Sequence, residues 1–304
     1  MLTSVLTFST VALVATLPWA PAQADPLPSL HKAGIVDDVG GAQRVNMAGK
    51  LRMLSQRIPA AACNEAGGIA VAEAAATLKA AVAEFDRILN ALEFGDGGLG
   101  IHGPETDRKV LADIQALHGV WDPLHADMDA MIEGDTDRAH AEKIVAMEPT
   151  LLEIAKHLVS MEVAEHSDPA AMLQGDAILI DIAGRQRMLA QRLSKDACML
   201  AEGLEAERAR ADLGKTREMY QVSLRALRFG MADAGIAPPP TAEIEAGLAR
   251  VNAIWEEIQP WLDATLDGTI TPEQRANLMR RANALTGSMN EVVGMYSRAS
   301  QLNL

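Results

Sequence analysis

Two arginines in this sequence lie within the same short motif, and this repetition makes them the strongest candidates for chemistry. Residues 45–57 read V-N-M-A-G-K-L-R-M-L-S-Q-R, and residues 180–192 read I-D-I-A-G-R-Q-R-M-L-A-Q-R. The shared pattern contains Arg52 in the first stretch and Arg187 in the second. A guanidinium group presents a planar fork of hydrogen-bond donors, which suits a flat or tetrahedral oxyanion.

A glycine precedes each arginine by about one helical turn. Gly49 comes before Arg52, and Gly184 comes before Arg187. Glycine inside a helix costs about 1 kcal/mol relative to alanine, but it lets another backbone approach closely or exposes a backbone amide. Two guanidinium groups brought together repel each other unless an anion lies between them. The motif therefore predicts that these four residues bind a small anion.

Four further polar residues of the motif are expected to support this site. Gln56 and Gln191 share a helical face with the two arginines. Arg57 and Arg192 lie roughly 140° around the helix from that face, so we expect them to pair with carboxylates inside their own bundles, with Asp181 as one candidate. The competing interpretation is that all the motif arginines form ordinary salt bridges, since the chain has 41 acidic residues.

Equivalent residues of the two motifs are 135 positions apart, and this interval recurs along the chain, which indicates an internal repeat. The same interval separates the two cysteines, Cys63 and Cys198, and also the segments A-L-E-F-G and A-L-R-F-G. Later in the copies, Trp121 matches Trp255 at an interval that is one residue shorter. A repeat of this length indicates two copies of one domain. We assign the copies to residues 33–168 and 169–304.

Each copy is predicted to form four amphipathic helices. Ala, Leu, Met, Glu and Arg are abundant and aromatic residues make up only 3% of the chain, a composition that favours helix over strand. Short glycine-containing connections favour an up-down-up-down bundle. The fold class is thus all-α, with two tandem four-helix bundles related by pseudo-twofold symmetry. Pro123 is expected to kink a helix and Pro149 to interrupt another. The predicted helices span 36–66, 70–92, 105–134, 135–166, 176–202, 205–227, 241–268 and 272–303.

The repeated motif resembles the first helix of the N-terminal domain of type IV pilus methyl-accepting transducers. It is also similar to the periplasmic four-helix sensor domain of nitrate/nitrite sensor histidine kinases. The resemblance covers both copies, and implies an anion bound between two first helices by the box arginine and the nearby glycine of each. It points to nitrate or nitrite as the first choice of ligand. The segments Leu54-Ser55-Gln56 and Leu189-Ala190-Gln191 follow the pilus-transducer variant of the box.

The two cysteines lie about three helical turns beyond the arginines on the same face. If the two first helices pack in parallel about a twofold axis, matched positions come within the range of a disulfide. A Cys63–Cys198 bond is one expected outcome. The other is two free thiols, because divergence of the helices beyond Pro59 would hold the cysteines too far apart.

Residues 1–24 have the pattern of a signal peptide cleaved after Ala24. An apolar stretch is followed by A-Q-A at positions 22–24 and then by a polar segment. The alternative is an uncleaved membrane anchor. No later segment contains the roughly 20 apolar residues of a membrane-spanning helix, so we expect a periplasmic mature protein without a membrane span.

Composition and motifs argue against several classes of function. A formal charge of −14 disfavours nucleic acid and anionic lipid as partners. The sequence has no catalytic motif, so we expect neither an enzyme nor a cofactor. His118 and His125 lack metal-ligand spacing, so no metal site is expected.

The sequence leaves two functions open. The first is an exported sensor or binding protein for a small oxyanion, which reports to a membrane sensor or a transporter component. The alternative is a helical interaction module of a pilus or chemosensory envelope system that binds no small ligand.

Overall fold

The computed structural model describes residues 34–135, 137–166 and 174–302, and it is all-α, without a β-strand in those residues. The predicted signal peptide lies outside this range. Helices α1 to α5 come from the first copy and α6 to α9 from the second. Their bounds are α1 Gly34–Ala66, α2 Val71–Phe94, α3 Arg108–Trp121, α4 His125–Ile132, α5 Arg138–His166, α6 Gln174–Glu202, α7 Ala206–Phe229, α8 Ala242–Leu266 and α9 Pro272–Gln301.

The third helical segment differs between the two copies. In the first copy the predicted helix 105–134 is wrong as a single element, because α3 and α4 are separated by a 3-10 turn at Asp122–Leu124. Pro123 lies in that turn, where its missing N–H and its ring oppose a continuous helix. The second copy has one continuous helix, α8, at this place.

Prolines elsewhere are accommodated inside helices. Pro149 lies within α5 and Pro59 lies within α1, and both helices continue past them. The interruption expected at Pro149 was therefore wrong. The face of α1 that carries Arg52 consequently extends without a break to Cys63.

A continuous apolar core joins the two copies through their first helices. Helix α1 packs against α2, α5 and α6, while α6 packs against α7, α9 and α1. Leu51 and Leu54 of α1 are fully buried, as is Leu193 of α6. Because the leucines of α1 and α6 fill the bundle cores, the faces that carry the glycine–arginine motif are free to meet each other.

Candidate functional site

The C-terminal parts of α1 and α6 are covalently joined. Cys63 and Cys198 form a disulfide with their Cα atoms 6.2 Å apart, and both side chains are buried. Since the two cysteines are at equivalent positions of the repeat, the bond holds the two motif helices in matched register. The arginines, about three turns earlier, are thereby brought to the same level of the helix pair.

The two motif arginines converge on Gly49. A Cβ atom at Gly49 would lie 3.6 Å from Nη2 of Arg52 and 3.6 Å from Nη2 of Arg187. The two nitrogens are thus separated by no more than twice that distance. A Cβ atom at Gly184 would lie 3.7 Å from Nη2 of Arg187. A methyl group would already touch the guanidinium groups, so the glycines leave space in front of them that a branched side chain would fill.

Arg187 is a buried cation whose hydrogen-bond partners, among the residues that the structure describes, are all neutral. Its side chain is held by Asn290 of α9, whose Oδ1 accepts from Nη1 at 2.8 Å, and by longer contacts of 3.4 Å to Oδ1 of Asn46. Nε donates to the carbonyl oxygen of Gly184 at 3.4 Å. Burial, followed by repulsion from Arg52, lowers the pKa of Arg187 to about 10.

Arg52 is the less constrained member of the pair. Within the part of the chain that the structure describes, its guanidinium group has no hydrogen bond and no salt bridge. Burial lowers its pKa, and the charge of Asp181 opposes this effect. Asp181 is paired with Arg185 in the next turn of α6, and the described ion pairs include none between Asp181 and Arg52.

The residues that surround Arg52 differ from those at the equivalent positions around Arg187. Asn46, which contacts Arg187, is matched by Asp181 in the second copy. Asn290, which also contacts Arg187, is matched in the first copy by Lys156, because equivalent residues late in the repeat are one position closer in sequence than those of the motif. Arg52 consequently lacks the two amide oxygens that fix its counterpart. Among the described residues, hydrogen bonds therefore position Arg187, whereas none reaches the guanidinium group of Arg52.

The supporting arginines have partners that differ in part from those expected. Arg57 donates to Oδ1 of Asn283 at 3.0 Å, so its expected pairing with a carboxylate in its own bundle was wrong. Arg192 does pair within its own bundle, with Asp212 at 3.3 Å and Asp196 at 3.6 Å. Asp181 was likewise expected to serve one of these arginines, but it contacts Arg185 instead.

The motif glutamines connect α1 and α6 to the last helix of each copy. Gln191 donates to Oγ1 of Thr286 at 2.7 Å and to Oδ1 of Asn283 at 3.2 Å. Gln56 donates to Glu148 of α5. The glutamines thus order the helices that surround the arginine pair and do not contact it directly in the described hydrogen bonds.

A buried ion pair that the sequence did not predict lies farther along the same interface. Nζ of Lys195 is 2.7 Å from Glu148 of the other copy and 3.2 Å from Asp196, with the side chains 2%, 3% and 1% exposed, respectively. In the repeat, Lys195 is matched by Ala60 and Glu148 by Ala282. The presence of charged residues at positions where the other copy has alanine was the one feature of the sequence that could have indicated this ion pair.

A cleft of about 210 Å³ lies away from the arginine pair, and is lined by Arg210, Thr265, Pro272 and Arg275 among others. It contains none of the residues of the repeated motif that were predicted to bind the anion.

The comparison with protein families accounts for both copies. The family model described as the type IV pili methyl-accepting chemotaxis transducer N-terminal domain, PilJ, matches residues 38–147 and again residues 170–280. The chain belongs to this family. Each half of the protein is thus a PilJ-type domain, and the two arginines come from the first helix of each.

One relative carries a chemotaxis name. The chain is 29% identical over 121 residues to the methyl-accepting chemotaxis protein McpN of Pseudomonas aeruginosa, a match that covers 39% of this chain and 22% of that protein. The matched region thus spans about a fifth of the relative. Neither the family description nor this name specifies a ligand, so nitrate remains a prediction. Within the described ranges, no helix of this PilJ-type protein is both long and apolar enough to cross a membrane.

Proposed function

We propose that this protein is a helical sensory module of a chemotaxis or pilus signalling system, and that it senses a small inorganic anion bound between Arg52 and Arg187. Membership of the PilJ family supports the sensory role. The observation that carries the anion proposal is the convergence of two guanidinium groups on Gly49, with neutral partners around the more buried one. Nitrate is the first anion to test, followed by nitrite.

The electrostatics of the arginine pair favour an anion. The two Nη2 atoms lie no more than about 7 Å apart, and two unit charges at that limit repel by roughly 2 kcal/mol at the effective dielectric constant typical of protein sites. Burial adds a desolvation cost, most of all for Arg187, which is only 4% exposed. An anion that accepts a hydrogen bond of about 2.8 Å from each guanidinium group offsets this repulsion with two attractions.

The difference between the two arginines suits a site that changes on binding. Arg187 is fixed by Asn290 and Asn46, so it provides a preorganised donor. Arg52 has to be ordered by the ligand. Because each arginine belongs to a different copy, ligand binding would alter the packing of α1 against α6. That change is what a membrane-bound signalling partner would detect.

Export to the periplasm is part of the proposal. The predicted signal peptide is one argument for it. The disulfide is a second, because structural disulfides persist in oxidising compartments. Mass spectrometry of the protein from the periplasmic fraction should give a mature N-terminus at Asp25, whereas an N-terminus that retains residues 1–24 would contradict cleavage.

A second candidate function is an interaction module without a small ligand. The family assignment agrees with it equally well. One structural observation favours it: Phe94 and Phe229, at equivalent ends of α2 and α7, are 63% and 65% exposed. Exposed aromatic side chains are common anchors of protein–protein interfaces. In this alternative the two phenylalanines would dock against another envelope protein.

Isothermal titration calorimetry distinguishes the two functions. The wild type is titrated with nitrate, nitrite, sulfate and phosphate at constant ionic strength, together with Arg52→Ala and Arg187→Ala. Arg217→Ala, which removes an arginine paired with Asp263 at a distant surface, is the matched control. We expect the wild type and the control to bind one of the anions, with at least tenfold weaker binding by the two motif variants. Equal binding by all four proteins, or none by the wild type, would refute the anion proposal.

A further inference from the structure

A cluster of three potential metal ligands lies in the first copy, away from the arginine pair. Glu162 and His166 lie four residues apart on the last turns of α5, so they share a helical face. Glu105 precedes α3. One ligand atom from each residue lies within 4.8 Å of the other two. No metal site was expected from the sequence, because the only histidines considered there, His118 and His125, lack metal-ligand spacing.

Two of the three donor-atom distances are close to those of a tetrahedral metal site. Nε2 of His166 is 2.9 Å from Oε2 of Glu105 and 3.4 Å from Oε2 of Glu162. Zn²⁺ binds imidazole nitrogen and carboxylate oxygen at about 2.0–2.1 Å, so neighbouring ligands of a tetrahedral ion lie about 3.3 Å apart. Three protein ligands would leave a fourth position for water.

Glu162 provides an independent indication of a bound cation. Its side chain is fully buried, and among the described residues neither of its carboxylate oxygens has a hydrogen-bond partner. A buried carboxylate without hydrogen bonds is costly unless a proton, a bound cation or a neighbouring charge neutralises it, and the described ionisable neighbour of Oε2 is Nε2 of His166 at 3.4 Å.

Glu105 is held in place by the surrounding chain. Its Oε1 atom accepts hydrogen bonds from the backbone N–H groups of Thr106 and Asp107 at 2.7 and 2.8 Å. Arg44 donates to Oε2 at 3.0 Å and also to the carbonyl oxygen of Leu92 at 2.7 Å. These contacts fix the direction of Oε2 toward the cluster. The charge of Arg44 reduces the attraction for a cation, while its hydrogen bonds preorganise the ligand.

The second copy does not repeat the cluster. In the repeat, Glu162 is matched by Tyr296 and His166 by Ser300, while Arg44 is matched by Leu179. The four-helix fold therefore forms without these charged groups. Their presence in the first copy alone calls for a role other than building the bundle.

We propose that Glu105, Glu162 and His166 bind one divalent transition-metal cation, for which Zn²⁺ is the probe. The bound ion would connect the end of α5 to the loop before α3. Metal binding requires His166 to be neutral and Glu162 to be ionised. The hydrogen bond that His166 now makes to Glu105 is replaced by coordination of both groups to the ion.

The test uses the full, tag-free chain, freed of metal with a chelator and titrated with Zn²⁺ at pH 7.5. The variants are Glu162→Gln and His166→Gln. The matched control is His157→Gln. His157 is an exposed histidine elsewhere on α5, and it is paired with Asp113. We expect one Zn²⁺ per wild-type and control chain, and at least about 100-fold weaker binding by both variants, since loss of an outer-shell partner alone costs 10–100-fold.

Thermal unfolding provides a second measurement. Zn²⁺ should raise the Tm of the wild type and of His157→Gln by mass action, and should leave that of Glu162→Gln unchanged. Glu162→Gln keeps the shape of the side chain and removes a buried charge, so the metal-free variant should fold. A wild type that takes up no stoichiometric Zn²⁺, or a Glu162→Gln variant that binds as tightly as the control, would overturn the proposal.

Discussion

The disulfide between the two copies gives the sharpest prediction of stability. Cys63 and Cys198 are separated by 135 positions in the sequence, so the bond closes a long loop. In the chain-entropy treatment, closing a loop of this length in the unfolded state is worth about 5 kcal/mol at 25 °C, and removal of a native disulfide typically costs about 2–5 kcal/mol. We therefore expect Cys63→Ala to lower the free energy of unfolding by about 2–5 kcal/mol.

The assay is urea denaturation followed by far-ultraviolet circular dichroism, carried out on Cys63→Ala, Cys198→Ala and the double variant. Either single substitution already breaks the bond, so the double variant should be only slightly less stable than either single one, which is a strong departure from additivity. The free energy of unfolding is also measured for wild-type protein that has been reduced in urea and refolded with reductant. This protein lacks the disulfide but keeps both cysteine side chains, so it distinguishes loss of the bond from loss of side-chain packing.

Two results would refute this reasoning. One is the detection of two free thiols in unreduced, denatured wild-type protein. The other is a loss of less than about 1 kcal/mol on reduction, well below the usual range for a native disulfide. That outcome would mean that the shared core between α1 and α6 keeps the two copies together without the covalent bond.

Three further outcomes are expected. In metal-free protein, burial and the charge of Glu105 raise the pKa of Glu162 to about 8, so its contribution to stability is complete below pH 4.5 and is lost as the pH rises through about 8. The loss in the free energy of unfolding is at most about 5 kcal/mol. Urea denaturation of Glu162→Gln at several pH values should not show this loss. Glu148→Ala should cost about 3 kcal/mol in the same assay, the lower end of the range for breaking a buried pair, because it removes the nearer of the two carboxylates beside buried Lys195 and leaves only Asp196; a loss below about 1 kcal/mol would contradict this pairing. Gly49→Val should abolish anion binding in calorimetry, because its side chain would occupy the space in front of both guanidinium groups; unchanged affinity would place the anion elsewhere.

Much of the fold could be predicted because the sequence repeats its local signals. The predicted ends of the helices differ from the observed ends by only a few residues for α1, α2 and α7. The break at Pro123 was only foreseen as a kink, since sequence alone does not show whether a helix accommodates a proline. Pro149 and Pro59 are accommodated, as α5 and α1 show.

The predicted site residues of the motif lie together because α1 packs against α6 with matched positions of the repeat in contact, as the Cys63–Cys198 bond shows. Hydrogen-bond partners of the arginines that lie outside the repeated motif could not be predicted in this way. Asn290 on Arg187 and Asn283 on Arg57 come from α9, which is three helices beyond the motif of the second copy. Their positions depend on the packing angle of α9, which the pattern of one sequence does not reveal.

The metal-ligand cluster was missed for the same physical reason. Glu105 and Glu162 are brought together by the packing of α5 against the loop before α3, and no periodicity in the sequence links them. The i, i+4 spacing of Glu162 and His166 was the one available signal. That spacing is common in surface ion pairs, so it carried little information without the burial of both carboxylates.

The most direct test of the central claim is an anomalous difference map from crystals of the wild-type protein soaked with bromide or selenate, which scatter anomalously. The account predicts a peak between the guanidinium groups of Arg52 and Arg187, within hydrogen-bonding distance of both and beside Gly49. The same soak of Arg187→Ala crystals should remove the peak. No peak between the two arginines in crystals that show anions elsewhere, or a carboxylate in direct contact with both guanidinium groups, would contradict it.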